Sequence, residues 1–158
     1  MSTLSDATET VFRVKPGDTV SFSKTIGESD VYLFAGITGD FAYNHVDEER
    51  MRATPYGRRI AHGALLVGFM SNCSTRLVDT FTDTGDGFTP VSLGYDGIRF
   101  LKPVFIGDTI TVTYRVAAID PERQRSTSEI AIVNQHGETV TVARHIMKWV
   151  RNDPAAAR

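Results

Sequence analysis

Asp40 and His45 stand five residues apart in the segment GITGDFAYNH, which runs from Gly36 to His45. A carboxylate and an imidazole held together can share one water molecule, and this arrangement suits general acid–base chemistry near neutral pH. The residues between them are poorly suited to a solvated turn, which favours a loop packed against an apolar surface; they include Phe41, Ala42 and Tyr43. The spacing alone leaves open a simpler alternative, in which Asp40 forms a turn and His45 lies on the surface.

A second candidate lies at Ile60–Gly63, where IAHG precedes the most apolar stretch of the chain. The first N–H groups of a helix have no intrahelical partner and carry the positive end of the helix dipole. Gly63 has no side chain to keep a ligand oxygen from its N–H, so a thioester carbonyl can be stabilised there as its oxygen gains charge. Donors of this kind contribute about 3–4 kcal/mol to a transition state. The start of a core helix without a ligand is the alternative interpretation.

The remaining motifs do not indicate a metal or nucleotide site. Acidic residues follow His45, but their spacing is that of neither an H-E-x-x-H helix nor a calcium loop. We interpret this cluster, Asp47, Glu48 and Glu49, as the solvated start of a short helix, and we predict no metal ion. The segment 36–39 follows a helical pattern rather than a strand, so it lacks the strand–turn–helix context of a phosphate-binding loop.

The composition is that of one globular domain without a nucleic-acid or membrane role. The 158 residues carry a net charge of −2, whereas non-specific nucleic-acid binding needs a basic face. No apolar run approaches the roughly 20 residues of a membrane span, and MSTLSDATET lacks the pattern of a signal peptide. The single cysteine, Cys73, lies in an apolar helical stretch and is expected to be buried rather than nucleophilic. A cytoplasmic protein is expected, with a polar N-terminus and a tail at 152–158 that are both frayed.

The hydrophobic periodicity predicts one strand, then helices, then a series of strands. A strand is expected over 19–26, helices over 28–38 and 48–51, and a long helix that is apolar on most sides over about 62–78. Further strands are expected over 88–93, 98–104, 109–116, 126–133 and 138–150. Short turns between successive strands favour an antiparallel sheet. The sequence therefore predicts an α+β fold: a single hot-dog domain over 1–158, with its core at about 12–150, in which the sheet wraps around a long buried central helix.

The chemistry-bearing segments resemble a known family. Residues 38–45, TGDFAYNH, resemble the hydratase-2 motif Gly-Asp-x-Asn-Pro-x-His of the MaoC-like, (R)-specific enoyl-CoA hydratases, and Asp40 and His45 match the catalytic residues of that motif. Residues 60–63 resemble the family's second signature, Ser71 falls where members often carry a serine near the active site, and 100–108 resemble its strand–Pro–Gly-Asp segment. The likeness covers roughly residues 12–150. Ala42 and Tyr43 replace the motif's Asn-Pro.

The resemblance implies a lyase that adds water reversibly to a trans-2-enoyl-CoA and gives an (R)-3-hydroxyacyl-CoA. Asp40 and His45 would activate the water, and the helix start at Gly63 would polarise the thioester carbonyl. The expected substrate-binding residues are Ala42, Tyr43, Asn44, His62 and Ser71. No cofactor is expected, because coenzyme A is part of the substrate. The resemblance also implies a homodimer, or a larger assembly of dimers, with sheets joined edge to edge and the site between subunits. Arg58, Arg59 and Lys102 are candidate contacts for the phosphates of coenzyme A.

Two other functions stay open at this level. A hot-dog acyl-CoA thioesterase would also polarise a thioester carbonyl at a helix start, but it normally needs a carboxylate on or near the central helix, and residues 62–78 contain none. A non-catalytic acyl-CoA-binding subunit is compatible with Ala42. The sequence leaves open the acyl chain, the carrier (coenzyme A or acyl carrier protein) and the direction of the reaction.

Overall fold

The elements follow the predicted order of one strand, then the helices, then the remaining strands. The structure, a computed structural model, describes residues 12–83 and 87–152. Its elements are β1 Thr19–Thr25, α1 Glu28–Thr38, α2 Tyr43–Val46, α3 Glu48–Arg52, α4 Gly63–Phe81, β2 Phe88–Phe100, β3 Thr109–Asp120, β4 Arg125–Val133 and β5 Thr139–Arg151. The predicted frayed N-terminus, and all of the predicted frayed tail except residue 152, lie outside the described residues.

The strands form one antiparallel sheet in the order β1-β3-β4-β5-β2. Helix α4 packs against β1 and β3. The predicted alternation in β3 is confirmed, since its inward residues are buried: Ile110, Val112, Tyr114 and Val116. They meet the buried side of α4, which consists of Leu66, Met70, Cys73, Ser74 and Leu77. This sheet wrapped around one long helix is the expected hot-dog fold.

Helix α4 is less enclosed than its composition indicates. One side is buried against the sheet, whereas Ala64, Gly68, Ser71, Asn72 and Thr75 on the other side are exposed. The exposed residues are small or polar, so the apolar residues concentrate on one side. Along the described parts of the chain, no helix has the length and apolar character needed to cross a membrane. Cys73 is buried as predicted, and burial raises the pKa of its thiol to about 11.

The strand β2 corrects the prediction of two short strands. One strand runs from Phe88 to Phe100 and pairs with β5 throughout, with irregular register between Ser92 and Gly94 and between Asp96 and Arg99. Gly97, at φ 60°, has a left-handed backbone that favours glycine. Such irregularities let a strand continue through residues that otherwise indicate a turn. Residues 101–104, predicted as strand, lie beyond its end.

Helix α1 ends where the predicted site begins. The Asp30 carboxylate accepts a hydrogen bond from the Gly27 N–H at 2.8 Å, which fixes the start of the helix. Gly39 ends it in a left-handed conformation at φ 80°, and its N–H donates to the Ala35 carbonyl at 2.8 Å. The chain therefore turns sharply at Gly39, and Asp40 emerges just beyond the helix, as predicted.

Candidate active site

Asp40, His45 and His62 meet where the loop after α1 approaches the start of α4. His45 lies on α2 and is 8% exposed, whereas Asp40 is exposed on the preceding loop. One side-chain ligand atom from each of the three residues lies within 4.8 Å of the others. Two hydrogen bonds of about 2.8 Å to one water span a gap of this size. The predicted pair is therefore close enough to share a water molecule.

A main-chain carbonyl fixes the hydrogen position on His45. Its Nδ1 lies 2.8 Å from the carbonyl oxygen of Ile60, which only accepts hydrogen bonds, so Nδ1 carries the hydrogen. In the neutral ring, Nε2 then keeps its lone pair. Burial lowers the pKa of His45 and the nearby His62 lowers it further, whereas the Ile60 carbonyl and Asp40 act in the opposite direction. His45 is consequently a neutral imidazole near pH 7, able to accept a proton at Nε2.

His62 lies against His45 and is 1% exposed. The two rings are stacked, with centroids 3.7 Å apart and planes 26° apart, and the ring of Phe34 lies 4.8 Å from that of His62. The Nε2 of His62 is 2.9 Å from the main-chain carbonyl oxygen of Asp40. Its Nδ1 is buried without a hydrogen-bond partner among the described residues. The sequence predicts His62 as a substrate contact. In the structure its ring is buried and stacks on the ring of His45.

The loop between Asp40 and His45 keeps a backbone that suits the family's Asn-Pro. Ala42 has φ −57° and ψ 141°, the extended conformation that a residue before proline adopts. Tyr43 is the first residue of α2, a position that favours proline. The Asp40 carboxylate also accepts a hydrogen bond from the Ala42 N–H at 3.3 Å. The two replacements therefore change the side chains of the loop without requiring a different backbone.

A pocket of about 410 Å³ opens beside His45. It brings His45 together with two other predicted site residues, Asn44 and Gly63. The remaining wall comes from segments on either side of the α4 start: Tyr56, Ile60, Ala61, Ala64, Leu66 and residues 100–104. His45, Asn44 and Gly63 therefore border a cavity large enough for part of a small-molecule substrate, whereas Asp40 is not part of its wall.

Gly63 has a packing role that the sequence did not reveal. A Cβ atom at this position would lie 2.8 Å from the ring of Phe100, closer than real Cβ contacts allow. Phe100 ends β2, remains 54% exposed and lines the pocket. Glycine at this position therefore lets an aromatic ring lie against the helix start. Sequence reasoning quoted Phe100 in the matching segment but gave it no role.

Ser71 lies apart from this pocket within the chain. It is on the exposed side of α4, eight residues along the helix from Gly63, a rise of about 12 Å. It lines a second pocket of about 230 Å³ with Ser92 and His145. Within one chain, Ser71 therefore lies away from Asp40 and His45.

His145 in the second pocket was missed by sequence reasoning. It is fully buried, with Nε2 2.8 Å from the Ser92 hydroxyl and Nδ1 2.6 Å from the Tyr114 hydroxyl. The ring of Tyr95 stacks on it with centroids 4.4 Å apart. Burial lowers the pKa of His145 to about 4. The available signal was its position in the β5 alternation, which places it on the core side of the sheet.

The candidate phosphate contacts differ in whether their side chains already pair with acidic residues. The guanidinium of Arg59 pairs with Glu28 and, at 2.9 Å, with Glu48, and it is tied between the starts of α1 and α3. Lys102 pairs with Glu138, whereas the Arg58 guanidinium lies 4.0 Å from the centre of the Phe105 ring. Arg58 is therefore the candidate for which the structure records no acidic partner.

The acidic run after His45 serves local structure, as predicted. Asp47 accepts a hydrogen bond from the Arg50 N–H at 2.9 Å and caps α3, while Glu49 pairs with Arg52. Asp40, His45 and His62 each bring one ligand atom within 4.8 Å of the others, so the absence of a metal ion stays a prediction.

The sequence comparison identifies the family of this chain. The profile of the MaoC like domain family matches residues 6–138, most of the chain. The chain belongs to this family. The (R)-specific enoyl-CoA hydratase of Rhodospirillum rubrum is 41% identical over 112 residues, which cover 70% of this chain and 72% of that enzyme. The 3-hydroxybutyryl-CoA dehydratase of Methylorubrum extorquens is 40% identical over 111 residues, which cover 70% of this chain and 65% of that enzyme.

A solved structure supports the same placement. The (R)-hydratase from Aeromonas caviae, described as involved in PHA biosynthesis, superposes on this MaoC-like chain with a TM-score of 0.75 at 27% identity. The superposition covers 85% of this chain and 96% of that enzyme. The family and the fold expected from residues 38–45 and 60–63 are thus confirmed.

Proposed function

We propose that this chain is a hydro-lyase that adds water reversibly to a trans-2-enoyl-CoA and yields an (R)-3-hydroxyacyl-CoA. The observation that carries the proposal is the state of His45. Its Nδ1 is held by the Ile60 carbonyl, its Nε2 keeps a lone pair, and Asp40 lies within the span of one water. Family membership and the named activities of the two relatives support the same reaction.

The proposed step adds the elements of one water across the C2=C3 bond. Asp40 and His45 hold the water, and its oxygen bonds to C3 as the pair takes up one of its protons. The pair returns a proton to C2, so both side chains regain their starting state. Because the two groups are so close, the proton is assigned to the pair rather than to either side chain. The reverse sequence removes water from the (R)-3-hydroxyacyl thioester.

The start of α4 supplies the electrostatic part of the proposal. As the water oxygen bonds to C3, negative charge develops on the thioester oxygen, which forms an enolate. The N–H of Gly63 and the positive end of the α4 dipole stabilise that charge. Gly63 lines the same pocket as His45, which places the helix start and the imidazole around one cavity. Phe100 forms the adjacent wall.

A homodimer would bring further residues to the substrate. In the described sheet, β2 pairs on one side with β5 and has no partner strand on the other. The exposed side of α4, which carries Ser71, lies near this edge, since Ser71 and Ser92 line the same small pocket. Pairing of β2 with β2 of a second copy would cover both the unpaired side of β2 and the exposed side of α4. We propose this assembly, with Asn44, Tyr43 and Ala42 on the substrate side of the loop and Ser71 at the interface.

The test is an incubation of the protein with a panel of trans-2-enoyl-CoAs, straight and branched. The ultraviolet absorbance of the enoyl thioester and the release of free thiol are followed in parallel. The proposal predicts loss of absorbance, an (R)-3-hydroxyacyl-CoA product and no free thiol. Thiol release would instead identify a thioesterase. Binding of acyl-CoA without turnover of any panel member would identify a non-catalytic subunit, and either result would contradict the proposal.

A further inference from the structure

His62 contacts both members of the Asp40–His45 pair but is itself almost completely buried. Its ring stacks on that of His45 at 3.7 Å, and Phe34 packs near it at 4.8 Å. Its Nε2 lies 2.9 Å from the main-chain carbonyl oxygen of Asp40. As the residue before α4, it is anchored at the start of the longest helix. A side chain in this position can fix the pair but cannot reach the pocket.

The hydrogen bond of His62 fixes which ring nitrogen acts as the donor. A carbonyl oxygen accepts only, so Nε2 carries a hydrogen. The ring is 1% exposed, its Nδ1 has no hydrogen-bond partner among the described residues, and it does not line the pocket beside His45. His62 is therefore placed to hold its neighbours rather than to exchange protons with the substrate.

His45 is consequently held by two separate contacts. The Ile60 carbonyl fixes the Nδ1 edge of the ring at 2.8 Å, and His62 supports one face. His62 also donates a hydrogen bond to the main-chain carbonyl of Asp40, so it holds the loop that carries the Asp40 carboxylate. The titratable groups that act on His45 are His62, at the start of α4, and Asp40, on the loop after α1. His62 thus connects the acid and the base of the proposed reaction.

We propose that His62 is a positioning residue, which sets the distance and orientation of His45 relative to Asp40 and does not touch the substrate. This inference rests on the proposed hydration reaction. Small displacements of a catalytic group reduce the rate strongly, and a shift of about 1 Å can cost about 10²-fold. Loss of either His62 contact should therefore lower kcat more than it raises KM.

Two variants separate the two contacts. His62→Phe keeps a flat ring against His45 and removes the N–H donor, whereas His62→Gln keeps a donor at the ε position and removes the ring face. We expect each variant to lower kcat about 10-fold or more, with KM within about threefold of wild type. We also expect the pKa of His45, measured by NMR titration of its ring, to rise in both variants, because the neighbouring imidazole that opposes its protonation is gone.

Leu77→Ala supplies the matched control. Leu77 is fully buried on the same helix, four turns from His62, so its loss should lower Tm without changing kcat per folded molecule or the His45 titration. If His62 had only a structural role, its variants would behave in the same way. Wild-type kcat per folded molecule in either His62 variant would overturn the proposal.

The NMR titration separates this inference from the proposed function. If the wild-type protein hydrates no enoyl thioester, the proposed function fails, and the titration, which needs no substrate, decides the role of His62. A raised pKa of His45 in both variants would then support the His62–His45 contact. An unchanged titration in both would overturn it.

Discussion

His45 and His145 are both buried imidazoles, but their hydrogen bonds are completed to different extents. Both nitrogens of His145 have partners inside the protein, the hydroxyls of Ser92 and Tyr114. His45 has one such partner, the Ile60 carbonyl. Its Nε2 has no recorded partner among the described residues, and its ring lines the larger pocket. Burial lowers the pKa of both rings, and it lowers that of His145 to about 4.

This difference supports the proposed reactive role of His45 and a structural role for His145. A group that exchanges protons with a substrate needs an unpaired nitrogen on a cavity and a pKa that is not far from neutral. His45 presents its Nε2 beside the larger pocket, and Asp40 lies within one water of it. His145 fails on both counts, since its nitrogens are paired and its imidazole is too weakly basic. We therefore assign the chemistry to the His45 region and stability to the His145 region.

The largest expected effect is on turnover when His45 is removed. His45→Ala deletes the proton acceptor and leaves the Ile60 carbonyl without its partner. Positioned acid–base groups contribute about 10²–10⁴-fold, so we expect kcat for hydration to fall at least about 10²-fold. Steady-state kinetics with a trans-2-enoyl-CoA, normalised to folded protein by circular dichroism, measure this loss. Turnover at the wild-type rate would remove His45 from the mechanism.

His145 should instead affect how the free energy of unfolding depends on pH. The pKa of His145 is about 4 in the folded state against 6.5 in the unfolded chain, so its stabilising contribution is complete above about pH 6.5 and is lost as the pH falls towards 4. This difference corresponds to about 3 kcal/mol. Urea denaturation of wild type and His145→Asn from pH 7 to 4 should show their stabilities converging. His136→Gln, at an exposed histidine, serves as the control, and a constant difference for His145→Asn would contradict this assignment.

Arg59 connects the His45 region to the starts of two helices, and replacing it should lower the thermal stability of the protein. Its side chain is 12% exposed and pairs with Glu28 and Glu48, next to the residue whose carbonyl holds His45. We expect Arg59→Gln to lower Tm by roughly 3–6 °C. Arg52→Gln removes an exposed pair with Glu49 on α3 and should change Tm by at most about 1 °C. Equal shifts in the two variants would show that Arg59 does not brace the site.

The smallest expected effect concerns the wall of the open pocket. An alanine at Gly63 would push against the Phe100 ring, so we expect kcat/KM to fall about 10-fold in Gly63→Ala. Phe100→Ala in the same chain should restore part of the loss, because it removes the ring. Gly68→Ala is the control, since its Cβ meets nothing within 4 Å. No loss in Gly63→Ala would show that the close approach of Phe100 is unimportant.

Local patterns were sufficient to predict much of the fold and part of the site. The helix at 28–38 was placed correctly because Gly39 ends it through a backbone conformation that favours glycine. Asp40, His45 and Gly63 could be proposed as site residues because both segments have a recognisable spacing, and their roles stay predictions. The continuity of β2 was missed, since Gly94 and Gly97 indicate turns locally, and only pairing with β5 carries the strand through them.

Long-range contacts explain what the sequence could not reveal. The position of Phe100 against Gly63 joins residues far apart in the chain, and no local pattern encodes it. His62 was predicted as a substrate contact because residues 60–63 resemble the family's second signature, whereas its burial depends on contacts with His45 and Phe34 from other segments. The Ser92–His145–Tyr114 cluster draws on three separate strands, so its members have no shared spacing. The predictions of a cytoplasmic location and of no cofactor stay predictions.

The most direct test compares hydration by Asp40→Asn and by His145→Asn at pH 7.5, each per folded molecule. The account predicts that Asp40→Asn lowers kcat at least about 10²-fold while its Tm stays close to that of wild type. It predicts that His145→Asn lowers Tm but keeps kcat within about threefold, because the imidazole removed takes no part in proton transfer. Wild-type turnover by Asp40→Asn, or a loss as large in His145→Asn, would contradict the assignment of the chemistry to the Asp40–His45 pair.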